Sequence, residues 1–317
     1  MANATGAATT AWNCPNYVGP LFLAGQTQTP FLNMIGGLNQ GGNGARLVSQ
    51  MEYEMSQPYS LEAAAQPAYS ENDSLTAPTP DTYVRSQITN TCQIYHQAVS
   101  VSYYKQANRG SFSGLQVLGN QPVQSERDWQ VQVNLRQIAL DADYTFLNGS
   151  YASATGTSSA PKTRGIITAI SSNTVSASSA ALSKTKINEL LRTMAGNGAQ
   201  FTNMVLFANA FNVQKISDIY GFAPMDRTVG GVAVSTILTE FCRLSVVYEP
   251  QVPAATVLIA DMSVVRPVFN PVPGKGVLFY EELSRTGASE KGQIYGHMGI
   301  DYAHEYCHGT ITSTATS

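Results

Sequence analysis

Hydrophobic and polar positions change period several times along the chain, and each change marks an element. Between Leu47 and Tyr53 the apolar residues Leu47, Val48, Met51 and Tyr53 alternate loosely, as they do in a strand. Residues 83–104 resume that character, with Tyr83, Val84, Ile88, Ile94, Tyr95, Val99, Val101, Tyr103 and Tyr104 supplying β-branched and aromatic enrichment. The connection contains Pro58, Pro67, Pro78 and Pro80, so the pattern predicts a β-hairpin with a long extended loop. An isolated hairpin is marginally stable at best, so its strands must lean on something else.

A helical period takes over from Pro122 to Asn148. Proline is favoured at the first helical position, where it has no helical N–H to lose, and Asn148-Gly149 is a favourable stop. The helix has two apolar flanks, one containing Trp129, Val133, Leu140, Tyr144 and Leu147, the other Val131, Leu135, Ile138, Ala142 and Phe146. Polar lines separate them, Arg127, Gln130, Asn134, Gln137 and Asp141 on one side and Gln132, Arg136 and Asp143 on the other. A surface helix shows one apolar stripe, so two flanks predict layers packed on both sides.

Elsewhere the punctuation sets the boundaries. Pro15, Gly19, Pro20, Gly25 and Pro30 mark residues 1–45 as an extended arm, closed by a glycine-rich hinge from Gly36 to Gly44. Ser150 to Ala160 is a low-complexity loop, and Arg164-Gly165-Ile166-Ile167 turns into a short strand. Ser183 caps a helix through about Ala195, with Ile187, Leu190, Leu191 and Met194 inward. Met204–Phe207 is a buried strand, and Asn209 caps a helix through Ile219 that stops at Gly221. This succession predicts a mixed α/β module over 165–262. The remainder predicts strands at Val257–Ile259, Val264–Phe269, Val277–Leu283, Gly292–Tyr295 and Ile300–Ile311.

Composition changes the picture in one respect. Of 317 residues, 43% are hydrophobic, as in ordinary globular proteins, but only 12% are charged, against a usual share of roughly 25%. A free monomer keeps its surface charged for solubility, so this surface is suited to being covered. The few charges are also segregated. From Leu47 to Val84 the chain carries Glu52, Glu54, Glu62, Glu71, Asp73 and Asp81 without a Lys or Arg. An acidic arm with little to bury, followed by a helix with surplus apolar surface, points to assembly on other copies rather than to catalysis. Net charge is −3 with no Lys/Arg run, which excludes a DNA reader or a histone-like packer.

Candidate chemistry is sparse. Cys14, Cys92, Cys242 and Cys307 are scattered and form no C-x-x-C pair, so they are expected to be mostly buried free thiols of a reducing compartment. His297, His304, Cys307 and His308 form the one metal-like cluster, but this stretch looks like strand, which puts Cys307 on the opposite face from His304 and His308; they are expected to be ordinary surface or interface residues. Gly110-Ser111-Phe112-Ser113-Gly114 has Phe112 where a nucleophile elbow needs serine. The glycine-rich hinge lacks the Gly-Lys-Ser/Thr of a phosphate loop, and Asp141 and Asp143 point in different directions. No catalytic, cofactor-binding or metal-ligating residue is assigned, and no cofactor is expected. Residues 1–10 do not look like a signal peptide, and no apolar run approaches a membrane span, so cytoplasmic synthesis is expected. A secreted or surface β-rich binding protein is the alternative, and it would need an export route.

The order of parts resembles the major capsid proteins of tailed bacteriophages with the Hong Kong 97-type fold. Thr29-Pro30-Phe31-Leu32-Asn33-Met34-Ile35-Gly36 looks like the N-terminal arm of a podophage-like subgroup, and Asn90-Thr91-Cys92-Gln93-Ile94 with Val99-Ser100-Val101-Ser102 like its returning hairpin strand. Leu147-Asn148-Gly149, Arg164-Gly165-Ile166 and Gly292-Gln293-Ile294-Tyr295-Gly296 fall where the helix end, the start of the next module and a late strand are expected. The resemblance implies an α+β fold with an N-terminal arm (1–45), an extended loop (46–104), a peripheral domain with the spine helix (105–164, helix about 122–148), a mixed α/β axial domain (165–262) and peripheral return strands (263–317). It implies a non-enzymatic protein forming hexamers and pentamers of an icosahedral virion shell around double-stranded DNA. The implied partners are other copies, a separate scaffolding protein, a portal and a decoration protein, with no membrane. Some such shells are crosslinked through a loop lysine, and the lysine-free stretch predicts that this bond is absent. The acidic loop is expected to meet cations on a neighbour, with Arg127, Arg136 and Lys105 as partners.

Overall fold

The computed structural model describes residues 28–38, 44–104, 126–221, 225–229 and 232–316. The chain runs from a short helix, α1 (Pro30–Met34), through strands β1 (Arg46–Leu47) and β2 (Glu52–Ser56), a single helical turn α2 (Glu71–Ser74) and strands β3 (Ile88–Thr91) and β4 (Gln93–Ser102) to a long helix, α3 (Glu126–Asn148). Next come α4 (Ile166–Ala169), β5 (Thr174–Ser176), α5 (Lys184–Gly196), β6 (Met204–Ala208) and α6 (Ala210–Tyr220). Strands β7 (Met225–Val229), β8 (Val232–Leu238), β9 (Arg243–Tyr248), β10 (Val257–Asp261), β11 (Arg266–Phe269), β12 (Leu278–Leu283), β13 (Ser289–Asp301) and β14 (His308–Thr312) follow.

Two main sheets result. The five-stranded sheet has the order β1-β11-β13-β12, with β4 also paired antiparallel to β13. The seven-stranded sheet has the order β5-β14-β10-β6-β9-β8-β7. β6 and β10 are buried along their whole length, and their alternate residues serve different cores. Val205, Phe207, Leu258 and Ala260 face a core shared with α1, α3 and the five-stranded sheet. Met204, Leu206, Val257 and Ile259 face a second core under α5 and α6.

Local chemistry explains the helices of that second layer. The Ser183 side chain accepts from the Lys186 N–H, the Asn209 side chain from the Asn212 N–H, and each satisfies an otherwise orphan donor of a first turn. Ile187, Leu190, Leu191 and Met194 are all fully buried, as their spacing predicts. Gly221 ends α6 at φ +73°, a backbone state that costs glycine little.

Several expectations are corrected. The helix is described from Glu126; Pro122, the Gly110–Gly114 segment, Lys105, Cys14, most of the arm and residues 39–43 of the hinge lie outside the described residues. Burial does not divide by flank: Ile138, Ala142, Phe146 and Leu147 are buried, whereas Val133 and Tyr144 of one flank and Leu135 of the other are exposed. Among the described residues the packing on α3 is concentrated around Ile138, Ala142, Phe146 and Leu147. Asp143, placed on a polar line, is fully buried, because the chain segment around Phe31 and Leu32 covers it, while Gln132 and Arg136 of the same line are exposed. Tyr83 and Val84 are exposed and outside any strand; the returning strand starts at Ile88 and is broken at Cys92, after which β4 joins a different sheet. Gly292–Tyr295 is the middle of one continuous strand, β13, and the stretch expected as Ile300–Ile311 is interrupted by a 3-10 turn at Glu305–Cys307. β14 then lies inside the seven-stranded sheet, away from the strands that precede it.

Residues 166–169 form a helical turn instead of a strand, and the turn starts against the end of α3. The Gly165 N–H donates to Gly149 O at 2.8 Å, bringing the end of α3 against the start of α4. A Cβ on Gly165 would stand 2.6 Å from backbone atoms of Leu147 and Gly149, closer than real contacts allow. Gly165→Ala is expected to lower stability in denaturant unfolding by about 1–3 kcal/mol, the cost of overpacking. Gly156→Ala, where a Cβ would meet nothing within 4 Å, should shift it by less than about 0.5 kcal/mol.

Candidate assembly surface

The base of the long loop is held rigidly. β2 and β3 pair antiparallel, with Glu52 opposite Thr91 and Tyr53 opposite Asn90, and the Ser86 N–H donates to Pro58 O at 3.1 Å. The buried Tyr53 hydroxyl donates to Ile300 O at 2.8 Å. Asn90 Nδ2 donates to Ile300 O and to Arg164 O, at 3.0 and 3.1 Å. The two-stranded base is thereby fastened to β13 and to the segment after α3.

Beyond that base every residue from 59 to 87 is exposed. Leu75 is 81% exposed and Tyr69 77%, and Leu61, Val84 and Tyr59 are also bare. Scattered apolar residues are normal on surfaces, but here a 29-residue stretch contributes no buried residue to its own subunit. Its carboxylates divide by position. Glu52 accepts from the Tyr151 hydroxyl at 2.8 Å, and Glu54 accepts from Gln57. Asp73 forms a capping box with Ser70, whose hydroxyl and N–H hold its carboxyl below the ordinary range. Glu62, Glu71 and Asp81 are exposed.

The second surface is the uncovered side of α3. Tyr144 is 54% exposed, and with Leu140, Gln137 and Asp141 it forms one wall of a groove of about 530 Å³ whose other wall is Ile94 and His96 of β4. Asp141 accepts from Gln137 Nε2 at 2.8 Å. Of the cations expected to meet the loop, Arg127 is engaged within its own subunit, 3.0 Å from Glu282, 3.8 Å from Glu290 and 3.6 Å from Asp128. Arg136 is exposed.

The histidines are not brought together as a metal site. His297 Nε2 stands 2.9 Å from the Tyr295 hydroxyl, and His304 caps the 3-10 turn, its Nδ1 accepting from the Tyr306 N–H. His308, expected at a surface or interface, is fully buried. Its Nδ1 accepts from the Asp261 N–H at 3.3 Å, which leaves Nε2 to donate to Tyr302 O at 2.8 Å. Burial pushes this imidazole down to about 4. Among the described cysteines Cys92 is buried, Cys242 and Cys307 are partly buried, and all three are free thiols. No described helix is long and apolar enough to cross a membrane.

The structure thus comprises a two-sheet body, a long helix with exposed apolar residues and a wholly exposed loop. The fold agrees with solved shells. It superposes on the chain of the cyanophage A-1(L) capsid with a TM-score of 0.62 at 10% identity, covering 95% of this chain and 97% of that one. For the capsid of a native GTA particle the TM-score is 0.60 at 11% identity, covering 99% and 100%. For the holo-SrpI encapsulin complex from Synechococcus elongatus PCC 7942 it is 0.56 at 11% identity, covering 100% and 98%. No curated protein matches the sequence. Residues 3–315 match the SU10 major capsid protein family, and the chain belongs to that family. It is therefore a structural protein that builds the icosahedral head shell of a virion from many copies, with the Hong Kong 97-type fold. The alternative of a secreted or surface binding protein is set aside, and family membership separates the chain from encapsulin compartments that share the fold.

His308 supplies a pH test of the body. Its folded value, about 4, lies below the ordinary 6.5, so the unfolded chain binds the extra proton and stability falls as pH drops from 6.5 towards 4. His308→Asn is expected to lower stability at pH 7 by about 1–3 kcal/mol through lost buried hydrogen bonds. It should also flatten the acid limb by about one proton, read from denaturant midpoints across that range.

Proposed function

We propose that the subunits form hexamers and pentamers in which residues 57–87 of one copy lie along the exposed side of α3, and the groove beside it, on the next. The observation that carries this reading is the pairing of two surfaces that their own subunit leaves uncovered, a wholly exposed loop with apolar side chains and a helix side with exposed apolar residues. The loop's acids meet Arg136 and the edge of the Arg127 cluster, where Glu282 and Glu290 compete for the guanidinium. Each exposed pair contributes only about 0–1 kcal/mol. Shell stability comes instead from repeated area, since a standard interface buries ~1,600 Å² and each subunit touches several others.

In this reading residues 1–45 are the arm, 46–104 the extended loop, 105–164 the peripheral domain with its spine helix, and 165–262 the axial domain, which borrows β14 from the peripheral return segment 263–317. The shell encloses double-stranded DNA without a basic binding motif. A separate scaffolding protein, a portal and a decoration protein are the further partners, and no residue is catalytic.

Reversing the charge of Glu52, Glu54, Glu62, Glu71, Asp73 and Asp81 together is expected to abolish or misdirect shell formation in electron micrographs, while the circular dichroism spectrum of dissociated subunits stays unchanged. Normal shells from this variant would sink the docking arrangement. Because 47–84 offers no lysine amine, denaturing gels of mature particles should show a single monomer band. A covalent ladder traced to this loop by peptide mass mapping would refute non-covalent closure.

A further inference from the structure

Two carboxyl groups sit in the interior of the subunit beneath the arm. Asp143 of α3 and Glu249, directly after β9, are both fully buried. Asp143 Oδ1 accepts from the Leu32 N–H at 2.8 Å, and Glu249 Oε2 accepts from the Phe31 N–H at 2.9 Å. Glu249 Oε1 also accepts from the Gln251 N–H at 3.1 Å. Two consecutive backbone donors of the arm are thus held by two acids from two distant parts of the chain. The grip is completed by packing, with the Phe31 ring edge-on to Phe207 at 5.3 Å.

Among the described residues the pair has no ion-pair partner, with no Lys, Arg or His within 4 Å of either carboxylate. Of the elements packed here, α1, α4 and β6 carry no titratable side chain. β9 ends in Tyr248, next to Glu249. On α3, Asp141 is on the groove side, Tyr144 is exposed, and Arg136, two turns back, is exposed. Asp143 Oδ2 is buried without a hydrogen-bond partner, and the Glu249 charge acts on Asp143. Two interacting buried carboxyls escape like-charge repulsion when one of them carries a proton. Burial, then the Glu249 charge, pushes Asp143 up to about 8; burial also raises Glu249.

We propose that Asp143 and Glu249 form a proton-dependent latch for the arm, docking residues 30–35 while the pair retains one proton and loosening them when both groups ionise. With the latch closed, Asp143 keeps its proton and accepts from the Leu32 N–H, and the single charge on Glu249 is met by the Phe31 and Gln251 N–H groups. When the arm lifts, water reaches both acids, the Asp143 carboxyl returns towards the ordinary value near 4, and the proton leaves to solvent. The sign follows from the raised value. Docking is strongest below the ordinary carboxylate range, weakens as pH rises, and levels off above about 8. Since one proton departs per opening, the opening equilibrium grows up to about tenfold per pH unit inside that window. Residues 30–35 lie in the core shared by α3 and the seven-stranded sheet, so the latch governs both the arm and the packing between these two layers.

The test is amide hydrogen exchange at Phe31 and Leu32 in assembled particles, from pH 5 to 9, corrected for intrinsic exchange. The wild type should lose protection progressively, approaching tenfold per unit between pH 5 and 8, and then level. In Asp143→Asn the amide oxygen can accept from Leu32 without titrating, so protection should become flat with pH and exceed the wild type at pH 8. Glu249→Gln removes the second charge and should likewise flatten the slope below pH 8. A flat wild-type profile, or a wild-type slope that persists in both substitutions, overturns the latch. The wild-type profile decides the matter even if a substituted chain does not fold.

Discussion

The burial of one face of α3 is the constraint on which the other parts depend. Ile138, Ala142, Phe146 and Leu147 are buried, with Phe31 and Leu32 from the arm, Phe207 from β6, and Phe269, Met298 and Ile300 from the five-stranded sheet in the same core. Each of those segments could be satisfied separately by water or by a local partner only at the cost of leaving large apolar side chains wet. Full burial of such a side chain is worth about 1.5–3 kcal/mol, so gathering them on one helix face fixes where both sheets sit. Gly149 and Gly165 then set the exit, because nothing larger fits between the helix end and the chain that turns back beneath it.

Economy of charge acquires a meaning in this frame. With 12% charged residues the subunit has little electrostatic exterior of its own, and its bare surfaces are the residues from 59 to 87 and the exposed side of α3. Much of the charge that does exist is locally committed. Arg127 is shared among three carboxylates, and Arg46 stands 3.0 Å from the buried Asp301, beside which Arg266 also lies at 3.8 Å. The interior is tied by hydrogen-bonded polar groups such as Asn90, Asn173 and His308, while the exterior stays nearly neutral.

What the sequence made legible is what depends on neighbours in the chain. Ser183 and Asn209 cap helices through bonds three residues away, and the inward spacing of Ile187, Leu190, Leu191 and Met194 follows from a 3.6-residue period. The lysine-free loop and the broad order of arm, hairpin, helix and α/β module were equally visible. Strands β7, β8 and β9 went unrecognised, since polar residues such as Asp226 and Ser245 interrupt their apolar pattern and partners from elsewhere complete their pairing. Ile166 was misread as strand because the close approach to Gly149 is a tertiary fact. Asp143 and His308 were misread as solvent-facing for the same reason. Periodicity treats a polar side chain as exposed and cannot register that Phe31 and Leu32, or Tyr302 and Asp261, supply bonds that let it stay inside. The apolar Ala142 and Phe146, one and three residues from Asp143, were the available hint.

The position of β14 bears on when such a subunit comes into existence. Strand β14 lies between β5 and β10, and the Thr174 and Thr310 side chains that meet across it are 136 residues apart in the chain. A sheet closed by so distant a strand forms slowly, because the loop entropy must be spent before the pairing is gained. During translation the seven-stranded sheet must wait for residues 308–312 to leave the ribosome. A chain still being synthesised therefore has an unfinished body, and its loop has no firm platform from which to engage a neighbour. A body complete enough to join a head thus requires a chain already synthesised through this strand.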